Sequence, residues 1–112
     1  MRDDPGRLRD ILEAIAKIQV YVQEGRERFD ETELHQVWIV HHLQIIGEAA
    51  RALSKEVRDA HPKVPWSDVI GMRNILVHEY FSVDLDEIWD TAVNDLPSLR
   101  LQVEEMLRSA GG

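Results

Sequence analysis

Apolar side chains recur every three or four residues along most of this 112-residue chain, and no alternating run of the kind that builds a strand appears. Leu8, Ile11, Leu12, Ile15, Ile18 and Val22 mark a first amphipathic helix. Asp4 followed by Pro5 predicts its start, an N-cap acid ahead of a proline whose missing N–H costs nothing there. Gly25 predicts its end. A second start lies at Asp30 and Glu33, spaced as a capping box, with Phe29 and Leu34 placed as a hydrophobic staple. From there the helical pattern continues to about Leu53, roughly 35 Å at 1.5 Å per residue. One of its stripes reads Leu34, Trp38, Ile45, Ala49, Ala52, and a second reads Val40, Leu43, Ile46 or Gly47, Ala50. A helix apolar on more than one face must be covered on more than one side, which points to a subunit interface as well as a core.

Lys55 to Ala60 reads as a short helical turn before the punctuated stretch His61-Pro62-Lys63-Val64-Pro65. A helix then opens at Trp66 or Ser67 and passes through Val69, Ile70, Met72, Ile75, Leu76 and Val77. After Tyr80-Phe81-Ser82-Val83 the last helix begins at Asp84. There Asp84 with Glu87 repeats the box and Val83 with Ile88 the staple. Pro97 is expected to kink or split it. The expected fold is a single all-α domain over residues 1–112, an antiparallel four- to five-helix bundle that dimerises.

Composition changes this picture in two places. The net charge of −8 sets a global field that repels nucleic acid, so any RNA chemistry must rest on a local positive site. The chain has no cysteine, which excludes disulfides and zinc–thiolate sites. His41 and His42 are adjacent and diverge by about 100°, unlike a chelating pair, so no metal is expected and the two read as a surface or interface pair. Trp38, Trp66 and Trp89 read as core anchors. No leader pattern and no spanning segment is visible, so a cytoplasmic protein without membrane contact is expected.

The candidate chemistry is concentrated in Arg73-Asn74-Ile75-Leu76-Val77-His78-Glu79-Tyr80. It holds an obligate cation, a titratable imidazole and a phenol. On a continuous helix five residues turn about 140° and seven about −20°, so Arg73 and Tyr80 share a face while Arg73 and His78 diverge. The helix could unwind near His78, or two copies could converge across a two-fold axis. The same spacing also suits an arginine and a histidine capping carbonyls at a helix end.

These residues resemble the HepT-like branch of the HEPN superfamily, whose hallmark is Arg-x4–6-His followed in this branch by x-Tyr. The likeness extends to Asp10-Ile11-Leu12-Glu13-Ala14-Ile15, Ile45-Ile46-Gly47-Glu48-Ala49-Ala50, Pro65-Trp66, Gly71-Met72 and Val83-Asp84 through Trp89. The resemblance implies a homodimeric helical bundle with the motif of each subunit lining a shared cleft. It implies a metal-independent ribonuclease acting as the toxin of a toxin–antitoxin pair. It further implies an MNT-type nucleotidyltransferase antitoxin as partner, which silences the toxin by adenylylating the tyrosine at Tyr80.

The residue types suit that chemistry. RNA carries its own nucleophile, the 2′-OH, so the protein need only move protons and stabilise charge, and no cofactor is expected. His78, with an ordinary pKa of about 6.5, serves as general base or acid. Arg73 presents a fork of donors to the phosphate as charge builds. Asn74 is placed to orient His78 or bond the phosphate, and Tyr80 to stack a base or position the phosphate. Arg51, Lys55 and Arg58 form one basic stripe if their helix persists, a candidate contact for RNA or partner, though with Glu48 and Asp59 close by a solvated surface stripe is the more ordinary reading. The rival function is a non-catalytic subunit that binds nucleotide or presents substrate to a nucleotidyltransferase.

Overall fold

Asp3, rather than Asp4, opens the first helix of the computed structural model, which describes residues 3–72 and 84–109. An N-cap residue needs extended backbone, and Asp3 has it, at φ −84° and ψ 175°, with its carboxylate accepting from Gly6 N at 2.8 Å. Asp4 is already inside α1 (Asp4–Val22), and its carboxylate is released for another task. Its two oxygens accept from Ser54 N at 2.9 Å and Ser54 Oγ at 2.8 Å. Leu8, Ile11, Ala14, Ile15 and Ile18 form the buried stripe of α1.

The expected capping box at Asp30 and Glu33 is not formed. Gly25, at φ +93°, takes a left-handed backbone that other residues rarely adopt and starts a separate short helix, α2 (Arg26–Glu31). Asp30 lies within α2 and accepts from Arg26 Nε at 2.8 Å. The staple fails with it, because Phe29 is fully buried against Trp89, with ring centroids 5.2 Å apart, while Leu34 is 79% exposed. Gln36 closes α2 instead, its Nε2 donating to the carbonyls of Phe29 at 3.0 Å and Asp30 at 3.2 Å.

The long helix α3 (Glu33–Ala52) then runs antiparallel to α1. Ser54, just past its end, holds Asp4 at the start of α1. Tyr21, near the end of α1, meets His35 at 4.4 Å and Trp38 at 5.6 Å near the start of α3. The buried face of α3 carries His35, Ile39, His42, Leu43, Ile46, Gly47, Ala49 and Ala50. Helices α1, α2 and α5 (Trp66–Gly71) all pack on α3, and its buried residues share one broad face. The first expected stripe is only partly right: Leu34 and Ala52 are exposed, and Ile39, buried at 0% exposure, belongs to the core.

At Leu53 and Ser54 the backbone is extended, with ψ of 148° and 152°, and Ser54 Oγ caps α4 (Lys55–Ala60) by accepting from Val57 N at 3.2 Å. The last column is α6 (Leu85–Asp90), a π turn (Thr91–Asp95) and α7 (Leu96–Ser109). Pro97 explains the π turn. It has no N–H for the carbonyl four residues back, and its ring crowds that carbonyl, so the wider turn just upstream absorbs the mismatch without ending the column. Ile88, Ala92, Leu96, Leu99, Val103 and Met106 stay on the buried side through this change. Fully buried aliphatic residues such as Ile11, Ile15, Ile39 and Ile46 tie the columns together, each worth on the order of 1.5–3 kcal/mol.

The Asp4–Ser54 contact joins two helix ends through one residue that also caps a third. Ser54→Ala removes the cap and one of the two hydrogen bonds to Asp4. It is expected to lower stability by about 1–2 kcal/mol, seen as a lower urea midpoint at unchanged slope. An unaltered midpoint would show that the contact carries no weight.

Candidate active site

Arg73, Asn74, His78 and Tyr80 lie outside the described residues; the frame that holds their segment is described on both sides. Upstream, Trp66 Nε1 donates to the carbonyls of Arg58 at 3.1 Å and His61 at 3.0 Å, tying the end of α4 to the first residue of α5. Val69 and Met72 bury α5, which packs on α3. Downstream, Asp84 caps α6 by accepting from Asp86 N at 2.9 Å and Glu87 N at 3.4 Å, the expected half of its box, while Val83 of the expected staple lies outside the described residues. Asp86 is in turn bonded by Arg26 of α2. Because α6 also packs on α3, both flanks of the motif segment are anchored to the same long helix.

Met72, adjacent to Arg73 in the chain, lines a cleft of about 390 Å³ with Lys63, Asp68, Asn94, Asp95 and Ser98. Glu48 is exposed on α3 between the buried Gly47 and Ala49.

The expected basic stripe does not run along one helix. α3 ends at Ala52 and α4 begins at Lys55, so the extended Leu53–Ser54 step resets the angle between Arg51 and the two later cations. Arg51 is exposed, Lys55 pairs with Asp59 at 3.6 Å, and Arg58 is half-buried with its Nε out of contact with any acceptor. The periodicity missed the device that causes this break. A serine preceding Lys55-Glu56-Val57 is a recognisable cap, and nothing in the sequence disclosed its partner Asp4, 50 positions away.

The histidines are not a surface pair. His41 is exposed, but His42 is 4% exposed and its ring lies 4.4 Å from that of Trp38. His42 Nδ1 donates to the Trp38 carbonyl at 2.8 Å, which fixes the neutral tautomer with Nε2 as acceptor. His35 is also buried, its Nε2 3.7 Å from Glu24. Trp38 itself is 37% exposed, so it is not a core anchor; its Nε1 donates to the Lys17 carbonyl at 3.1 Å and its ring roofs the buried imidazole. Trp66 and Trp89 are half-buried against the core. Among the described residues no three His, Asp or Glu side chains gather as a metal-ligand set, and no helix is long and apolar enough to cross a membrane.

Comparison with known proteins matches residues 11–106 to the family described as ribonuclease HepT-like. A Caldanaerobacter subterraneus protein named "Putative RNase" is 49% identical over 69 residues, 62% of each chain. A Methanocaldococcus jannaschii protein of the same kind of name is 33% identical over 92% of this chain and 95% of its own. A Thermococcus cleftensis protein named "Probable ribonuclease HepT" is 36% identical over 88% of this chain and 91% of its own. No solved structure gives a significant match.

Burial lowers the pKa of His42 below its ordinary value, opposed by the Trp38 hydrogen bond, with His41 and Lys17 adding to the decrease and Glu13 resisting it. The folded protein therefore holds fewer protons here than the unfolded chain once pH falls below about 6.5. Stability is expected to decline as pH drops from about 6.5 toward the folded pKa, and to be indifferent to His42 above that window. His42→Asn keeps a donor for the Trp38 carbonyl and should flatten that part of the profile in urea titrations. An identical slope in both proteins would assign the acid sensitivity to other groups.

Proposed function

The chain belongs to the ribonuclease HepT-like family, and from that membership we propose that it is a metal-independent endoribonuclease, the toxin of a toxin–antitoxin pair. In this reading it is a single cytoplasmic domain that works as a homodimer. A nucleotidyltransferase antitoxin restrains it by adenylylating Tyr80. The observation that carries the reading is the intact Arg73-Asn74-x3-His78-x-Tyr80 order within the matched residues 11–106. The names of the relatives, and a frame that fixes both flanks of that segment on α3, agree with it.

The chemistry follows from the residue types. His78 takes the 2′-OH proton or returns one to the leaving 5′ oxygen, and Arg73 stabilises the charge gathering on the phosphate between them. Asn74 orients the imidazole or holds a phosphate oxygen. An adenylyl group on Tyr80 adds bulk and negative charge, and both exclude a second phosphate. The net charge of −8 favours a second reading, a nucleotide-binding subunit without cleavage of its own.

Arg73→Ala and His78→Ala are each expected to reduce RNA cleavage by about 100-fold or more, with folding unchanged by circular dichroism. Cleavage by the native protein should persist in EDTA. Tyr80→Phe should remain toxic when co-expressed with the nucleotidyltransferase that silences the parent. Full activity in His78→Ala would remove the mechanism. Tight nucleotide binding with varied RNAs left intact would install the second reading.

A further inference from the structure

An acidic chain that handles RNA must concentrate its free cations, and the ion pairs of this protein show where they are. Lys17, Arg26, Arg28, Lys55, Arg100 and Arg108 each hold a carboxylate of the chain. Among the described residues, Arg7, Arg9, Arg51, Arg58 and Lys63 hold none. Three of these, Arg7, Arg51 and Arg58, lie within four residues of the Asp4–Ser54 contact along the chain. Arg7 is one helical turn beyond Asp4 on α1, Arg58 one turn beyond Ser54 on α4, and Arg51 is in the last turn of α3, three residues before Ser54, so the backbones of all three flank the Asp4–Ser54 contact.

The carboxylates of that corner are already engaged. Asp3 caps Gly6, Asp4 holds Ser54 with both oxygens, Asp59 pairs with Lys55, and Asp10 and Glu48, three residues from Arg7 and Arg51, are engaged too, which leaves the exposed Glu56. Two of the guanidiniums are also partly desolvated. Arg7 Nε and Arg58 Nε are buried with no hydrogen-bond partner. Burial of Nε holds each guanidinium in place and leaves its terminal nitrogens, which are not among the buried unpartnered atoms, as the donors that an anion would meet. Exposed lysines would give diffuse attraction; three arginines give planar forks suited to phosphate oxygens.

We infer that Arg7, Arg51 and Arg58 form a docking corner for the phosphate backbone of single-stranded RNA, outside the motif segment. This rests on the ribonuclease reading. It revises the linear stripe expected from the sequence by replacing Lys55, which is paired, with Arg7 from another helix. The corner supplies affinity and register while Arg73 and His78 supply chemistry. Loss of the corner therefore acts on KM and leaves kcat.

The test uses the native protein and a 2′-O-methyl RNA oligonucleotide, which lacks the nucleophile and stays intact while binding is followed across salt concentrations. Arg7→Gln/Arg51→Gln/Arg58→Gln is expected to weaken binding at least tenfold at low salt and to lower the salt slope by about 2, each phosphate contact contributing about 0.7. Arg51→Gln alone, an exposed change that cannot disturb packing, should lower it by about 0.7. Arg28→Gln/Arg100→Gln, which removes paired cations, should leave the slope unchanged. With cleavable RNA the triple variant should show a raised KM at unchanged kcat. Binding by the native protein with the same slope in the triple variant would overturn the docking corner and leave the ribonuclease reading intact. Normal RNA binding by the triple variant with loss of nucleotidyltransferase association would reassign the corner to a protein partner. No RNA binding or cleavage by the native protein would overturn the ribonuclease reading itself.

Discussion

The antiparallel embrace of α1 and α3 is the constraint on which the other elements depend. It is closed at one end by a carboxylate holding a serine and at the other by stacked aromatic rings. Between them lies a fully buried apolar seam of Ile11, Ile15, Ile39 and Ile46, where shape decides register. Once α3 is fixed, α5 and α6 have one surface to settle on. The two helices that flank the motif segment thus both rest on the core. Catalysis by proton transfer demands such fixity, since small displacements of an acid or base are costly.

The polar contacts at the two ends of this seam differ in kind. Asp4 and Ser54 meet at the half-buried edge, where a charge-assisted bond gains strength without the full cost of burial. At the other end His35 and His42 are taken inside. Burial keeps His42 neutral, and its one ring N–H is satisfied by the Trp38 carbonyl. That carbonyl belongs to the same helix, four residues back, so the bond costs α3 little. Trp38 then covers the imidazole, and this explains why a large aromatic ring remains at the surface.

Helical class, the first helix and the last column were legible from periodicity because each has one buried face and a clear start. The errors fall where a local signal had two users. Asp3 and Asp4 are equally good caps by type, and the choice was made by Ser54, 50 residues from Asp4. Asp30 and Glu33 carry the spacing of a box, but Gly25 had already begun another helix and Arg26 had claimed Asp30. Pro97 announced a disturbance whose form, a π turn that preserves the buried face, depends on packing. In the candidate site the motif was legible as a set of residue types in order. Of the proposed corner, Arg51 and Arg58 were legible as cations of one stripe, but Arg7 was not, because the Asp4–Ser54 contact that brings its helix there has no sequence proximity.

That corner also bears on the sign of the whole chain. A net charge of −8 and an RNA substrate conflict only if charge acts as a sum. At physiological ionic strength fields fade over about 8 Å, so a phosphate senses the groups beside it far more than the rest of the chain. Carboxylates already bound to a backbone N–H or to a lysine oppose it less than free ones would. An acidic surface elsewhere then has a use, since it disfavours nucleic acid away from the docking corner and the motif segment. Non-specific coating of the protein by RNA is suppressed, and docking is biased toward one orientation. The charge that first argues against RNA handling thus becomes a means of confining it to one corner.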